Sequence, residues 1–240
     1  MLAIIDRRAP PEAILNLMKH ADAVFQFESD GITFNSISCH PDIFIYQDEY
    51  NLIIAPNAPL QLLEFLNVRM VKYIFGKKKV EENFENSVLY NCFSTDHYFF
   101  HKAGFTDPSI IKLNRHKEFI NLPQAYTRCS LTHLGNNRFI TSDKGIEKKL
   151  IQKGLECYYF PPEQISIIDH KNGFLGGTNG LCGNTLFFIG NIDLHKQGLS
   201  LRSYIENSGI EIVSLSNSLL YDGGGIIFID EKRNTAALTI

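Results

Sequence analysis

Residues 173–193 read GFLGGTNGLCGNTLFFIGNID, and the interpretation of the whole chain starts from this stretch. Its six glycines surround a compact apolar run, Leu186–Ile189, so tight turns lead the backbone into a buried strand. Leu219–Asp230, LLYDGGGIIFID, has the same layout of glycine-rich turn, short apolar strand and acidic residue. We interpret the two stretches as copies of one repeated unit.

Three earlier segments show a related hairpin pattern. Strand-like runs at Ile43–Tyr46 and Leu52–Ala55 flank the polar QDEYN, Tyr90–His101 holds two aromatic-rich strands, and Tyr126–Asp143 reads strand, GNN turn, strand. Aligned, the five patterns are spaced roughly forty to fifty residues apart, as in repeat architectures. Their anchor positions are Asp42, Asn91, Cys129, Gly177 and Asp222.

Chance spacing of strands in an ordinary α/β protein is the alternative to a repeat, and a doubly wound parallel sheet is the competing fold. The glycine-rich segments disfavour that fold because they precede strands, whereas a dinucleotide fingerprint follows a strand and opens a helix.

Helix signals separate the strands. Ala9–His20 predicts a first helix with Ile14, Leu15 and Met18 on its apolar face. Gly145–Lys153 predicts another, with Ser142 or Asp143 as N-cap and Gly154 at its end. Further strands are predicted at Ala23–Phe27, Cys157–Phe160 and Ile210–Leu215, and a further helix at Leu199–Asn207.

Composition restricts the class of protein. The 240 residues are 44% hydrophobic and contain no linker-like segment, which favours a single domain over residues 1–240. A formal charge of −3 gives no footprint for nucleic acid, and no apolar run is long enough for a membrane span. The N-terminus lacks the apolar core of a signal peptide, so we expect a cytoplasmic protein. The five scattered cysteines favour neither a disulfide framework nor zinc, and no cofactor or metal is expected.

Seven short motifs, in this order and spacing, carry a resemblance to a known family: HPDI, APN, YN, YTRCS, ITSDKGI, GFLGGTNGL and LYDGGGI. Together they resemble an uncharacterised bacterial branch of the guanidino-group-modifying enzyme fold, the penteins, over nearly the whole chain. That resemblance implies a five-bladed α/β propeller of ββαβ units around a pseudo-fivefold axis, with residues of the first strands facing a central channel. The enzymes of the superfamily attack a guanidinium carbon with a cysteine, use a histidine as acid/base, and clamp the substrate cation with carboxylates. A further branch, the ribosome anti-association factors, keeps the fold without catalysis.

The sequence departs from those enzymes at the nucleophile. Their cysteine follows a glycine-rich turn in the last unit, in a pattern like GGxHC, but the similar place here reads YDGGGIIFID, with no cysteine after Cys182. The arginine-aspartate pair of the deiminases is replaced by Arg128 and Cys129. Either the chemistry has moved to another cysteine or no chemistry of this kind remains.

Cys129 is the best candidate nucleophile, because Arg128 and His40 could hold its thiolate, although a buried cysteine is also an ordinary core residue. His40 would be the acid/base, and Asp42 and Asp222 the carboxylates that hold a cationic substrate. Capping and turn hydrogen bonds are the alternative role of these polar residues.

Asn57, Asn91, Arg128 and Gly177 are predicted to complete the substrate site. The first functional hypothesis is a hydrolase or transferase acting on a guanidino or amidino small molecule in the central channel. The second is a non-catalytic member of the same fold that binds a ligand or a protein partner. The sequence leaves both hypotheses open, and it gives no oligomeric state.

Overall fold

The computed structural model describes residues 1–230, which form α/β structure built from five small sheets of three strands each. The strands, numbered in chain order, are β1 Leu2–Asp6, β2 Ala23–Phe27, β3 Ile45–Gln47, β4 Leu52–Ile54, β5 Ile74–Phe75, β6 Phe93–Ser94, β7 Tyr98–His101, β8 Glu118–Asn121, β9 Leu131–His133, β10 Arg138–Thr141, β11 Glu156–Tyr159, β12 Asn179–Cys182, β13 Thr185–Phe188, β14 Glu211–Ser214 and β15 Ile227–Ile229.

A helix connects the second and third strands of each sheet, and two further helices precede a hairpin. The helices are α1 Pro11–Leu17, α2 Leu60–Val68, α3 Phe84–Ser87, α4 Pro108–Leu113, α5 Thr127–Ser130, α6 Lys144–Gln152 and α7 Gly198–Glu206. Of these, α3 and α5 are single turns that precede a hairpin.

Every sheet repeats one topology. An antiparallel hairpin comes first, a helix follows, and the third strand pairs in parallel with the second strand of the hairpin. In the fourth sheet of the chain, β12 pairs antiparallel with β13, Leu181 opposite Leu186, and β13 pairs in parallel with β14, Leu186 opposite Ile212. The repeated order strand, strand, helix, strand confirms the repeat inferred from the hairpin patterns.

The fifth sheet joins the two ends of the chain. Its first strand is β15, which pairs antiparallel with β1 so that Leu2 lies opposite Ile229 and Ile4 opposite Ile227. The helix α1 then leads to β2, which pairs in parallel with β1. All five residues of β1 are buried. No strand was predicted at Leu2–Asp6, because no hairpin partner lies next to it in the sequence and its antiparallel partner, β15, is at the other end of the described chain.

The helix α6 shows how local signals and packing agree. Asp143 caps it, its carboxylate accepting the backbone N–H of Ile146, as predicted. Ile146 and Leu150 are its buried face, and Gly154 beyond its end has a φ of +74°, which favours glycine.

Two predicted elements differ in detail. The helix α1 buries Ala13, Ile14 and Leu17, while Leu15 and Met18 are 62% and 46% exposed, so the predicted apolar face is correct at Ile14 and wrong at Leu15 and Met18. The helix is only two turns long, and Met18 lies beyond its last residue. Residues 127–130, predicted as strand, form α5 instead, because the Asn91 carbonyl accepts the N–H groups of Thr127 and Arg128.

Among residues 1–230, no helix is both long enough and apolar enough to cross a bilayer.

Candidate functional site

The five anchor residues each lie shortly before the first strand of a sheet, as the alignment of the repeats predicted. Asp42 precedes β3, Asn91 precedes β6, Cys129 precedes β9, Gly177 precedes β12 and Asp222 precedes β15. Because the five units share one topology, equivalent positions are brought together, and the contacts below link all five anchors.

Asn91 connects three units through its side chain. Its Oδ1 accepts the backbone N–H of Arg128 at 2.8 Å and the Cys129 thiol at 3.7 Å. Its Nδ2 donates to the backbone carbonyl of Asp42 at 3.5 Å. Asn91 is fully buried, so these contacts fix the positions of Asp42 and Cys129 relative to each other.

Asp222 lies against glycines that leave room for its carboxylate. A Cβ added at Gly177 would overlap Asp222 Oδ1, so glycine is required there. The carboxylate accepts the N–H of Phe174 at 2.7 Å and that of Gly224 at 3.2 Å. Burial raises the pKa of Asp222 to about 7, although these two hydrogen bonds act in the opposite direction.

Asp42 is fully buried, and within residues 1–230 neither of its carboxylate oxygens accepts a hydrogen bond of normal geometry. Gly224, with a φ of +70°, passes so close that an added Cβ would lie 2.6 Å from Asp42 Oδ1. Burial raises the pKa of Asp42 to about 8, and the charge of Asp222 adds to the rise, whereas Arg128 and the nearby Asn91 amide oppose it. Asp42 therefore carries a proton through much of the neutral range.

His40 is held in its neutral form. The ring is buried, and burial lowers the pKa of His40 to about 3, with a further contribution from the positive charge of Arg8. Its Nε2 lies 3.7 Å from Asp6 Oδ2, which accepts a hydrogen bond from the Tyr221 hydroxyl at 3.1 Å. Sequence analysis missed Asp6 together with β1. The signal was an acidic residue directly after the apolar run LAII.

The thiol of Cys129 is not activated in the free protein. Burial raises the pKa of Cys129 well above its ordinary value, and the carboxylates of Asp42 and Asp222 raise it further, while Arg128 opposes them. The predicted stabilisation of a thiolate by Arg128 is therefore outweighed by burial. His40 is uncharged and gives no electrostatic support to a thiolate either.

A cavity of about 810 Å³ opens onto this cluster. His40, Cys129 and Asp222 lie on its wall, together with apolar side chains such as Phe34, Ile43 and Phe174. The segments 34–37 and 167–172 border it, and two hydrogen bonds join them: Asn35 to Asp169 at 2.6 Å and His170 to Ser36 at 3.1 Å. The cavity thus combines one buried acidic group, Asp222, with apolar walls, which suits a cation on an apolar body.

Of the predicted site residues, Asn57 alone lies apart from this cluster. Its side chain donates to the carbonyl of Val80 at 2.8 Å and accepts the N–H of Val80 at 3.0 Å, so it fastens a loop. His40, Asp42, Asn91, Arg128, Cys129, Gly177 and Asp222 are brought together. In the part of the chain that the structure describes, no group of histidine, cysteine and acidic side chains is arranged to hold a metal ion.

Comparison with known protein families identifies the family of this chain. A family of unknown function, DUF6873, matches residues 4–227. The chain belongs to this family. No curated protein matches it.

Several solved structures share the fold of this DUF6873 chain. Dimethylarginine dimethylaminohydrolase from Pseudomonas aeruginosa, complexed with citrulline, is 11% identical with a TM-score of 0.53, over 89% of this chain and 91% of that one. An amidinotransferase of saxitoxin biosynthesis from Microseira wollei is 10% identical with a TM-score of 0.53, over 89% and 87%. Agmatine deiminase from C. jejuni is 11% identical with a TM-score of 0.51, over 85% and 75%. The DUF6873 chain thus has the fold of the guanidino-group-modifying enzymes, the penteins, as the sequence motifs indicated.

Proposed function

We propose that this chain is a single-domain pentein that binds a small guanidino or amidino cation in the cavity above Asp42 and Asp222. The observation that carries the proposal is the buried carboxyl group of Asp222 on the cavity wall, with a second buried carboxyl group near it, that of Asp42, which has no hydrogen-bonded partner among residues 1–230. A buried carboxylate is costly unless a cation compensates it. A planar guanidinium offers several N–H donors to neighbouring carboxylates and would supply that compensation.

We also propose that the five sheets are the blades of a five-bladed α/β propeller around a central channel. Two observations support this arrangement. The anchor residues before all five first strands are linked by contacts, and a second cavity, of about 420 Å³, is lined by residues of all five first strands. The lining residues from those strands are Gln47, Ser94, His133, Leu181 and Phe228.

Catalysis is the second candidate function, because Cys129 and His40 line the same cavity as Asp222. A bound cation would lower the pKa of the Cys129 thiol by direct attraction to the thiolate. The sulfur would then add to the guanidinium carbon while its proton passes to His40. The C–N bond to the departing amine would break as that amine takes the proton back from His40. Water would finally cleave the covalent adduct.

Calorimetric titration with agmatine tests the binding proposal. We expect saturable binding, and we expect Asp222→Asn to weaken it about tenfold or more, since a charged hydrogen-bonded pair is lost. Asp193→Asn is the matched control, because Asp193 is exposed and pairs only with surface groups such as Arg202. Absence of saturable binding, or an equal loss in both variants, would overturn the proposal.

Alkylation by iodoacetamide, followed by mass spectrometry, distinguishes the two candidate functions. A catalytic Cys129 would react faster in the presence of a guanidino compound that activates it, or would form an adduct with the compound itself. A purely binding site would show slow alkylation of Cys129 that agmatine only slows further.

A further inference from the structure

Arg128 has a binding capacity that the cation site leaves unused. Its Nη1 donates to the carbonyl of Gly176 at 3.2 Å, and within residues 1–230 its guanidinium makes no other hydrogen bond and no direct ion pair. Its backbone is fixed, because its N–H donates to both the carbonyl and the side chain of Asn91. The remaining guanidinium donors are therefore held in place and available to an acceptor.

Those donors face the second cavity, of about 420 Å³. The first cavity is lined by His40, Cys129 and Asp222, which precede the first strands, whereas the lining of the second includes residues within all five of those strands. The two cavities share no lining residue, and Arg128 lies on the wall of the second only.

The rest of the second cavity combines apolar walls with polar side chains, several of which are already hydrogen-bonded. Leu131, Ile226 and Phe228 contribute apolar walls. Thr132 and Asn179 hydrogen-bond to each other at 3.1 to 3.2 Å, so their polar atoms are already engaged. A ligand here meets the guanidinium of Arg128, an apolar surface, and the ammonium of Lys117, which already donates a hydrogen bond to the Ser94 hydroxyl at 3.2 Å.

Acidic residues at the border of the cavity restrict the charge of that ligand. Asp48 accepts the N–H groups of Tyr50 and Asn51 and is engaged in its own turn, while Glu49 and Asp96 are exposed. These three carboxylates outnumber the two cations of the lining, Arg128 and Lys117, so the cavity disfavours an anion of two or more charges. A single negative charge that reaches Arg128 gains a forked pair of hydrogen bonds, which a planar carboxylate matches best.

We propose that the second cavity is a binding site for a small monocarboxylate with an apolar tail, its carboxylate held by Arg128. This site goes beyond the proposed cation site and does not depend on it. Each cavity can be occupied while the other is empty.

Titration of the ¹⁵N-labelled chain with sodium phenylacetate, followed by NMR, tests the site. We expect saturable shifts of the amide signals of Thr132, Asn179 and Phe228, with little change at His40 and Phe174 of the first cavity. Inorganic phosphate should bind at least tenfold more weakly than phenylacetate. Absence of saturable shifts, shifts centred on His40 and Phe174, or equal binding of phosphate would each overturn the assignment.

A pair of variants isolates the guanidinium. Arg128→Gln combined with Asp42→Asn removes the guanidinium together with the ionisable group of Asp42 near it, so Asp42 is not left buried without the cation. Compared with Asp42→Asn alone, the double variant should bind phenylacetate about tenfold or more weakly. Equal affinities would refute the role of Arg128. If the double variant does not fold, the NMR map of the unaltered chain decides the question. Agmatine, which probes the first cavity, should shift a different set of signals, so failure of either site is seen separately.

Discussion

The protonated state of Asp42 predicts that replacing it by asparagine changes stability in a pH-dependent way. Burial raises the pKa of Asp42 from 3.8 to about 8, so the folded chain holds this proton where the unfolded chain has lost it. A carboxyl group with a raised pKa stabilises the fold at low pH, and that contribution is lost as pH rises through the folded pKa. The substituted asparagine side chain would be neutral at every pH and has nearly the shape of the protonated carboxyl.

The magnitude follows from the two pKa values. Between pH 6.5 and 8.5 the unaltered protein should lose on the order of 2 kcal/mol of unfolding free energy relative to Asp42→Asn. The neutral histidines, such as His40, are present in both proteins, and their opposite pH dependence cancels in the difference. At pH 8.5 the variant should be the more stable of the two, because the ionised Asp42 carboxylate is buried with no hydrogen bond of normal geometry from residues 1–230.

Urea unfolding of both proteins, followed by circular dichroism at several pH values, measures this difference. Asp193→Asn serves as the control, since that carboxylate is exposed, and its difference from the unaltered protein should stay constant over the same range. A difference for Asp42→Asn that is also constant from pH 6.5 to 8.5 would show that Asp42 is already ionised in the fold, and the argument would fail.

Three further predictions concern the cluster and the helix next to it. Gly177→Ala should lower the unfolding free energy by about 2 kcal/mol or more, because the Cβ of the introduced alanine would overlap Asp222. Thermal unfolding measures this change, and an unchanged stability would contradict the close packing at Gly177. Asp143→Ala should lower the unfolding free energy by about 1 kcal/mol, because the N-cap of α6 is lost. Thermal unfolding measures this as well, and an unchanged melting temperature would show that the cap does not stabilise the fold. The affinity for agmatine should rise between pH 6 and 8.5 as Asp222 and Asp42 ionise, whereas a calorimetric affinity that stays flat would exclude both as its counter-ions.

The repeat, and the grouping of most candidate site residues, could be predicted from the sequence because both depend on local signals. Glycine, proline and asparagine before short apolar runs mark the start of each hairpin, and the same positions hold Asp42, Asn91 and Asp222. Equivalent positions of a repeated unit come together, so aligning the hairpins was enough to gather these side chains.

The features that could not be predicted from the sequence depend on contacts between distant parts of the chain. The fifth sheet pairs β1 with β15 from the other end of the chain, and Asp6 was missed with β1 for that reason. Asn57 follows a proline at the end of a strand, much as Asp42 follows a proline before a strand, yet the backbone of Val80 returns to Asn57 and hydrogen-bonds to its side chain. The ionisation of His40 and Cys129 depends on complete burial, which a charged neighbour in the sequence, such as Arg128, does not reveal.

Burial, with few neighbouring groups to stabilise a charge, fixes the protonation states of the cluster. His40 is neutral, the Cys129 thiol keeps its proton, and Asp42 and Asp222 have pKa values near or above neutrality, so Arg128 is the group that stays charged. A cation that enters the first cavity at a pH where Asp222 and Asp42 are protonated would displace a proton from one of them, because otherwise it would add to the charge of Arg128. Binding of a guanidinium would thus exchange one positive charge for another, whereas a monocarboxylate in the second cavity would neutralise Arg128 without moving a proton. Ligand binding at the two cavities is therefore expected to differ in proton release, and this difference would distinguish the two proposed sites.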